Sequence, residues 1–193
     1  MNNLFEALIV RYCPIFRHKR IYDETIAWLD KNNIPVLIHD NTKVNIGLSA
    51  ARNLLLKKVT ADTVILMDFD IRFRSVDFKS MAEKAMENDT GIVMPAKRGN
   101  GIIKRTEWQS ISNPHCHCMV MKRQLLLDMG GFDERYFVTY GDLDLLDRVK
   151  EKGLQLLQHN KSYIVFHFGL STDIKERNKI WAKDQKTYQQ KRR

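Results

Sequence analysis

The stretch Asp62-Thr-Val-Ile-Leu-Met-Asp-Phe-Asp-Ile-Arg-Phe73 decides the fold. Its apolar run, Val64 to Met67, is bounded by polar residues and has the length of a buried strand. The run ends in Asp68-Phe69-Asp70, and two carboxylates at the end of a buried strand cost desolvation energy unless a cation lies beside them. In an open α/β sheet, ligands bind in the crevice beyond the carboxyl ends of the strands. The stretch therefore predicts a strand that leads into a binding site.

The carboxylates of Asp68 and Asp70 predict the kind of ligand. Mg²⁺ and Mn²⁺ prefer hard oxygen ligands, and Mg²⁺ is usually held by one or two carboxylates together with substrate phosphates. The alternative is a solvated turn that carries two surface acids, and a motif as short as Asp-x-Asp favours that turn when it stands alone. The rest of the chain favours a site for a metal ion and a diphosphate.

Strands and helices alternate before this stretch. The hydrophobic pattern predicts a strand at Ala7–Tyr12, a helix at Phe16–Asn32, a second strand that ends at Asp40 and a helix within Asn45–Lys58. Such alternation is typical of a mostly parallel sheet with right-handed crossovers and helices on its faces. The sequence therefore predicts the α/β class.

Length and composition fit one globular domain with a substantial core. The chain has 193 residues, of which 44% are hydrophobic and 28% are charged. No apolar run approaches the ~20 residues of a membrane span, and the start lacks the basic and apolar segments of a signal peptide, so we expect neither. Cys116 and Cys118 are too close in sequence for an ordinary disulfide, which favours reduced thiols and a cytoplasmic location.

The net charge of +9, from 32 basic and 23 acidic residues, favours polyanionic partners. Part of it lies in a basic tail, residues 174–193, which we distinguish from residues 1–173 and expect to be helical. Basic amphipathic helices often lie on anionic lipid, so peripheral contact with the inner membrane face is one hypothesis. The alternative is a solvated helix that packs on the protein through Trp181.

Further polar residues follow predicted strands or begin predicted helices. Asp142 and Asp144 flank Leu143 at the start of a helix, where capping explains one of them, most simply Asp142 as the N-cap, but not both, so a catalytic role is our hypothesis. His167 lies in an apolar strand, either as a core residue or as a metal ligand. The segment His115–Cys118 lacks a second pair at zinc-finger spacing and predicts a half-buried strand.

Four motifs in order resemble the family 2 glycosyltransferases, whose fold is the Rossmann-like GT-A type. They are Asn45-x-Gly-x-x-x-Ala-Arg-Asn53, Asp68-x-Asp70, Gly130-Gly-Phe-Asp-Glu134 after Lys122-Arg123, and Tyr140-Gly-Asp-Leu-Asp-Leu145 with Arg148 and Gly153. The resemblance extends from Ala7 to Ser171. Only four residues separate Asp40 from Asn45, which leaves no room for a helix–strand unit common in the family, so we expect a compact version of the fold.

The resemblance implies a role for each matching residue. The nucleotide-sugar site would comprise Arg11, Asp40, Asn45, Gly47, Arg52 and Asp68. The ligands of Mn²⁺ or Mg²⁺ would be Asp68, Asp70 and His167, and the acceptor side would be formed by Gly131, Phe132, Asp133 and Glu134.

The general base of the family corresponds to Asp142, but Gly141 replaces the usual Glu before it, which leaves Asp144 as a second catalytic candidate. On a helix the two side chains point about 200° apart, so they cannot both face one acceptor hydroxyl. We favour Asp142, because Asp144 has an ion-pair partner at Arg148 and because Gly141 would leave room for an acceptor.

The implied activity is that of a metal-dependent glycosyltransferase using a nucleoside-diphosphate sugar. We expect it to move a single sugar, with inversion, to a hydroxyl of a glycan, a glycolipid or another acceptor, since the Gln-x-x-Arg-Trp element of processive members is absent. The alternatives are a catalytically idle GT-A-like module that binds a polyanion, and a sugar transferase acting on modified nucleic acid.

Overall fold

The stretch that decides the fold forms a central, fully buried strand in the computed structural model. The structure describes residues 4–13, 15–97, 106–112, 114–167 and 174–192, and at 97, 165–167 and 174–177 it describes the backbone alone. Thr63 to Met67 are all buried, and the polar turn of Asp68 to Asp70 follows directly.

The described chain forms eight strands and six helices, which alternate strictly only as far as β3. The strands are β1 (Phe5–Arg11), β2 (Val36–Asp40), β3 (Thr63–Met67), β4 (Ile71–Ser75), β5 (Thr90–Lys97), β6 (Trp108–Ser110), β7 (Cys118–Lys122) and β8 (Gln155–His167). The helices are α1 (Phe16–Lys31), α2 (Leu48–Leu56), α3 (Phe78–Ala85), α4 (Arg123–Asp128), α5 (Gly141–Glu151) and α6 (Ile174–Lys191).

All described strands join one sheet in the order β2-β1-β3-β7-β5-β8-β4, with β6 paired to β8. The α/β class is confirmed, but the sheet is more mixed than the mostly parallel one that the sequence predicts. The first three strands pair in parallel, and so do β5 and β8, whereas β7, β4 and β6 pair antiparallel with their neighbours. The alternation that predicts parallel pairing exists only in the first half of the chain. Because β7 runs antiparallel to β3, the residues before β7 lie beside the end of β3.

Alternate residues of the central strands supply two cores, one on each face of the sheet. Leu66 and Leu8 belong to the core that buries α2 and α5, through residues such as Leu55 and Leu145. Ile65, Met67 and Phe69 belong to the core that buries α1 and α3. The Asp68 carboxylate therefore emerges where the sheet meets α2 and α5.

β4 and the first half of β8 lack the hydrophobic pattern that predicts a strand, because many of their residues are polar. In β4, Arg72 and Arg74 alternate with Phe73, and the first half of β8 is rich in Gln, His and Asn. These polar groups are satisfied locally, as in the contact of His159 Nδ1 with Ser162 Oγ at 2.6 Å. Polar residues with partners in the fold do not produce the hydrophobic period that marks a strand.

The prediction for His115–Cys118 was wrong. The strand begins only at Cys118, and His115 to His117 precede it in a turn. Cys116 packs against the core on the α2 face, whereas Cys118 belongs to the core on the opposite face. The strand rule of alternating faces does not apply to residues that precede the strand.

The basic tail contains the helix α6, which docks on α5 rather than projecting from the protein. Tyr188 donates its hydroxyl to Asp147 of α5, and Arg192 pairs with Asp147 and with Glu151. Trp181 stays 45% exposed, with its ring 5.9 Å from that of Tyr140. Across the described residues, none of the helices combines the length and the apolar character needed to cross a membrane.

Candidate active site

A buried arginine joins two of the predicted site carboxylates. Arg52 lies in α2 with only 2% of its side chain exposed. Its Nη2 is 3.4 Å from Asp68 Oδ1, and its Nη1 forms a hydrogen-bonded ion pair with Asp142 Oδ1. The guanidinium carbon also lies 5.1 Å from the centre of the Phe132 ring. Residues separated by up to 90 positions in sequence therefore meet around one cation.

The two carboxylates remain partly accessible although their shared arginine is buried. The side chains of Asp68 and Asp142 are 24% and 25% exposed. Burial and the neighbouring charge of Asp68 raise the pKa of Asp142, and the attraction of Arg52 opposes that rise without cancelling it. A carboxylate with a raised pKa is a stronger base, which suits proton abstraction.

Asp142 reaches this position because of the way α5 begins. Tyr140 precedes the helix in the left-handed conformation, at φ 63°, and Gly141 is its first residue. Asp142 does not act as the N-cap, so the capping explanation of this residue is wrong. The expectation that Gly141 leaves room for an acceptor is also wrong, because a Cβ at that position would lie 2.7 Å from Ser49 Oγ. The glycine instead lets α5 approach α2, and this approach brings Asp142 to Arg52.

Asp144 belongs to a different set of contacts. Its carboxylate is 3% exposed and pairs with Arg148 Nε at 2.9 Å, which is the ion pair expected at i+4. Lys191 of α6 lies 2.6 Å from its other oxygen. The structure thus separates Asp144 from the cluster of Arg52, Asp68 and Asp142, although sequence reasoning considered both acids as catalytic candidates.

His117 is a site residue that the sequence prediction missed. Its Nδ1 lies 3.2 Å from Asp68 Oδ2, and its backbone carbonyl accepts a hydrogen bond from the Asp68 N–H at 2.9 Å. The neighbourhood follows from the antiparallel pairing of β3 with β7, which brings the start of one strand beside the end of the other. The signal in the sequence was the polar His-Cys-His run before an apolar strand. That this run lies beside Asp68 could be known only from the order and direction of the strands in the sheet.

Asp70 is buried at 4% exposure, close enough to α1 for its charge to act on His18. The turn that carries it is held by Thr25, whose hydroxyl donates to the carbonyls of Phe69 at 2.8 Å and Ile71 at 3.2 Å. Burial lowers the pKa of His18 on α1, and the charge of Asp70 opposes that effect. The turn that carries the second acid of the Asp-x-Asp motif is therefore held by α1.

The donor set after β3 suits a hard divalent cation. Asp68 and Asp70 offer carboxylate oxygens within one turn, and Mg²⁺ is commonly held by one or two carboxylates with donor phosphates completing its shell. Among the side chains that the structure describes, no three of the His, Cys, Asp and Glu type converge as a metal site. The His167 side chain, the third predicted ligand, lies outside the described residues, while its backbone pairs with Ile71, directly after Asp70.

The predicted nucleotide-side residues lie at the ends of β1 and β2 and before α2. Arg11 Nη1 is 3.3 Å from Asp40 Oδ2, and the backbone N–H of Thr42 donates to Asp40 Oδ1 at 2.8 Å. These hydrogen bonds and Arg11 overcome the effect of burial and hold the pKa of Asp40 below its usual range. Asn45 Oδ1 accepts the Gly47 N–H at 3.0 Å, which forms the turn into α2.

Gly47 has φ +89°, a conformation that side chains rarely adopt, and a Cβ there would lie 2.8 Å from the Phe137 ring. Asn41, which sequence reasoning missed, is 2% exposed and donates to the Gly47 carbonyl at 3.1 Å. The glycine of the first motif thus lets the loop before α2 pack closely on the loop before α5.

Asn53 fastens the predicted acceptor-side loop to α2. Its side chain accepts the Phe132 N–H at 2.8 Å and donates both to the Phe132 carbonyl and to Glu134 Oε1 at 2.9 Å. A Cβ on Gly131 would lie 2.5 Å from Asn53 Oδ1, so the glycine permits this close approach. Phe132 borders Arg52, whereas Asp133 pairs with Arg135 and with Lys191 of α6.

A family model and several solved structures match this chain. The glycosyl transferase family 2 model matches residues 22–141, which is more than half of the chain. No curated protein matches the sequence at significant similarity.

Several solved structures have the same fold, among them the following three glycosyltransferase structures. GalNAc-T7 with UDP, GalNAc and Mn²⁺ has a TM-score of 0.64 at 11% identity, over 86% of this chain and 44% of its own. The mannosyltransferase PcManGT of Pyrobaculum calidifontis, with GDP-Man and Mn²⁺, has a TM-score of 0.62 at 16% identity, over 86% and 57%. Residues 1–349 of S. aureus TarS with UDP have a TM-score of 0.56 at 13% identity, over 95% and 70%.

The chain thus spans about half the length of the first two of these proteins. At these identities the structural likeness shows the fold, which is the GT-A fold that the motifs imply. The family model carries the assignment beyond the fold, because it matches the sequence itself from α1 to the start of α5. The chain belongs to glycosyl transferase family 2.

Proposed function

We propose that this protein transfers a single sugar from a nucleoside-diphosphate sugar to an acceptor hydroxyl, with a divalent metal ion and with inversion. The observation that carries the proposal is the bridge that Arg52 makes between Asp68 and Asp142. It joins the carboxylate that follows β3 to a carboxylate in the first turn of α5. This contact supports the proposal that a donor-side acid and an acceptor-side acid lie together beyond the carboxyl end of β3.

The donor is a nucleoside-diphosphate sugar in this proposal. Support comes from the family match and from the related structures, which contain UDP or GDP-Man. In this chain Asp40 would contact the base, while Arg11, Asn45, Gly47 and Arg52 would line the site. Asp40 suits a hydrogen-bond acceptor for base N–H groups, because its carboxylate is about half exposed at the end of β2 and an ionised carboxylate only accepts hydrogen bonds.

Asp68 and Asp70 would hold Mn²⁺ or Mg²⁺, and His167 would complete the shell. The bound cation would stabilise the negative charge that develops on the leaving nucleoside diphosphate. Two of the similar structures contain Mn²⁺, which supports the choice of metal. Arg52 and His117 orient the Asp68 carboxylate from two directions, so its geometry does not depend on the ligand alone.

Asp142 would act as the general base. It would take the proton from the acceptor hydroxyl as that oxygen attacks the sugar carbon from the face opposite the leaving group, which inverts the configuration. Its raised pKa favours this role, and Arg52 holds the carboxylate in one orientation. Phe132 and Glu134, which Asn53 fixes beside this cluster, would form part of the acceptor site.

The basic tail offers exposed positive charges that could contact a membrane carrying the acceptor. Lys191 and Arg192 are occupied by ion pairs with the body of the protein, whereas Lys179, Lys183 and Lys186 are exposed. Peripheral contact with an anionic inner membrane face is part of the proposal, supported by these three exposed lysines and by the exposed Trp181. A cytoplasmic location is also part of it, supported by the free thiols of Cys13, Cys116 and Cys118.

The test is donor binding and turnover with UDP-, GDP- and dTDP-sugars, with and without Mn²⁺. We expect Asp70→Ala to remove metal-dependent binding of the nucleoside diphosphate and to leave the fold intact, measured by calorimetry and circular dichroism. Asp30→Ala is the control. It also removes one acidic side chain, but Asp30 is exposed and lies at the C-terminal end of α1. Equal affinity of wild type and Asp70→Ala would contradict the proposed metal site.

The same experiment separates the competing functions. Donor binding without transfer or hydrolysis, across a panel of glycan and lipid acceptors, would favour the catalytically idle module. Turnover only with hydroxymethylated bases in DNA would favour a nucleic-acid acceptor.

A further inference from the structure

We propose that Asp184 of α6 is a positioning residue for sugar transfer, because it fixes the segment that delivers Asp142. The inference rests on the proposed function and adds a residue that lies in the basic tail, outside the matched region 22–141. Asp184 itself does not belong to the cluster around Arg52.

Asp184 is fully buried, at 0% exposure, which is rare for a carboxylate without a specific role in the fold. It accepts hydrogen bonds from three consecutive backbone N–H groups. The Phe137 N–H donates to Oδ1 at 3.0 Å, and those of Val138 and Thr139 donate to Oδ2 at 3.0 and 2.9 Å. The Thr139 hydroxyl lies 3.2 Å from Oδ2 as well. Successive N–H groups that point at one anion form a strong and directional site.

The segment held by Asp184 connects directly to the candidate active site. The Phe137 carbonyl accepts the Leu48 N–H at the start of α2, at 2.6 Å, and the Thr139 carbonyl accepts the Gly141 N–H at 2.8 Å. Asp142 follows Gly141 and pairs with Arg52. Residues 137–141 are therefore clamped between α2 on one side and Asp184 on the other.

These contacts matter because the segment contains one residue, Tyr140, in an unfavourable backbone conformation. Tyr140 adopts a left-handed conformation at φ 63°, which is costly for a residue with a side chain and persists only when the surroundings enforce it. The hydrogen bonds to Asp184 supply the constraint on the residues just before Tyr140. Without them, the direction in which α5 begins, and with it the position of Asp142, is less well defined.

A second contact of α6, made by Tyr188, gives a matched control. Tyr188 lies one turn after Asp184 and donates its hydroxyl to Asp147 in the middle of α5. Tyr188→Phe removes this bond and keeps the ring, so it weakens docking of α6 without touching residues 137–139. Asp184→Asn keeps the size of the side chain but replaces an oxygen with an N–H₂ group, which opposes the backbone N–H groups.

The experiment compares wild type, Asp184→Asn, Asp184→Ala and Tyr188→Phe in three measurements on the full chain. These are kcat of transfer, donor affinity and stoichiometry by calorimetry, and hydrogen exchange of the peptide that covers 137–142. We expect both Asp184 variants to lower kcat ~10-fold or more, because small displacements of a catalytic group are costly, while donor affinity stays within about twofold. Exchange at 137–142 should accelerate in these variants and remain unchanged in Tyr188→Phe.

The outcomes separate this inference from a merely structural role and from the proposed function. A loss of kcat that matches a loss of donor-binding stoichiometry would mean that Asp184 only keeps the protein folded, and would overturn the inference. Unchanged exchange in the Asp184 variants, or accelerated exchange with unchanged kcat, would overturn it as well. A wild type that binds donors but never turns them over would instead contradict the proposed function.

Discussion

Two arginines that approach the same loop have opposite surroundings. Arg52 of α2 contacts the Phe132 ring and pairs with Asp68 and Asp142, whose carboxylates are about one quarter exposed. Arg148 of α5 donates to the carbonyls of Met129 and Gly131 at 2.9 Å and pairs with Asp144, which is 3% exposed.

The difference shows how similar ion pairs can serve function or structure. Arg148 contacts two backbone carbonyls and a buried carboxylate, and these contacts fix the loop from Met129 to Gly131 against α5. Arg52 is as buried as a core residue, but the carboxylates that it holds face the edge of the sheet. We infer that Arg52, which is buried but holds carboxylates that are about one quarter exposed, is preorganised for a ligand, whereas Arg148 pairs with a buried carboxylate and stabilises the scaffold.

Removing the carboxylate of Asp142 should have the largest effect and should appear in turnover. We expect Asp142→Asn to lower kcat ~10²-fold or more, since it removes the proposed base while the amide oxygen still accepts from Arg52. The free energy of unfolding should change by about 1 kcal/mol or less, because Arg52 keeps Asp68 as a partner. Steady-state kinetics and urea unfolding measure the two quantities, and an active Asp142→Asn would contradict the assignment.

Removing the carboxylate of Asp144 should act on stability instead. We expect Asp144→Asn to lower the free energy of unfolding by about 3 kcal/mol, because it removes the buried carboxylate that pairs with Arg148 and leaves Lys191 with Asp133 alone. Turnover of the folded fraction should fall much less than in Asp142→Asn. If Asp144→Asn abolished turnover in a stable protein, the roles of the two acids would be reversed.

A side chain at Gly141 should affect both stability and turnover. In Gly141→Ala the new Cβ would meet Ser49 Oγ at 2.7 Å, so α5 must shift away from α2. We expect a loss of ~1 kcal/mol in stability, together with a fall in kcat because Asp142 moves relative to Arg52. The second substitution Ser49→Ala removes the clashing oxygen, and a double-mutant cycle should show that it recovers part of both losses. Additive losses would mean that this contact does not control the position of Asp142.

The smallest effect concerns Asp133, which shares Lys191 with Asp144. Hydrogen bonds from Arg135 and Lys191 hold the pKa of Asp133 well below its usual range. A depressed pKa in the folded state stabilises the protein above the unfolded value of about 3.9, and this contribution disappears as the pH falls through the folded pKa.

We therefore expect Asp133→Asn to cost about 1 kcal/mol at pH 7 and progressively less below pH ~4. Denaturant unfolding of wild type and variant between pH 7 and pH 2.5 measures the difference. A cost that stays constant with pH would show that the charge of Asp133 is not what stabilises this contact.

Much of the candidate site could be predicted from the sequence because its residues lie at the ends of regular elements. The strand that ends in Asp68-Phe69-Asp70 and the α/β class required only hydrophobic periods and strand lengths. The ion pair of Asp144 with Arg148 required only helical spacing. Asp142 could be singled out as an unusual acid beside another, but the partner of its carboxylate could not.

The tertiary structure decided which acids act together. His117 lies beside Asp68 because β7 runs antiparallel to β3, and no local pattern gives the direction of a strand in a sheet. Gly141 allows a close approach of two helices rather than an open space, and only the position of Ser49 reveals this. Asp184 is an isolated acid in a basic tail by sequence, yet in the fold it is buried under three backbone N–H groups. The physical reason is common to all three: periodicity records which side of an element is buried, whereas hydrogen bonds and ion pairs between distant residues depend on how the elements pack.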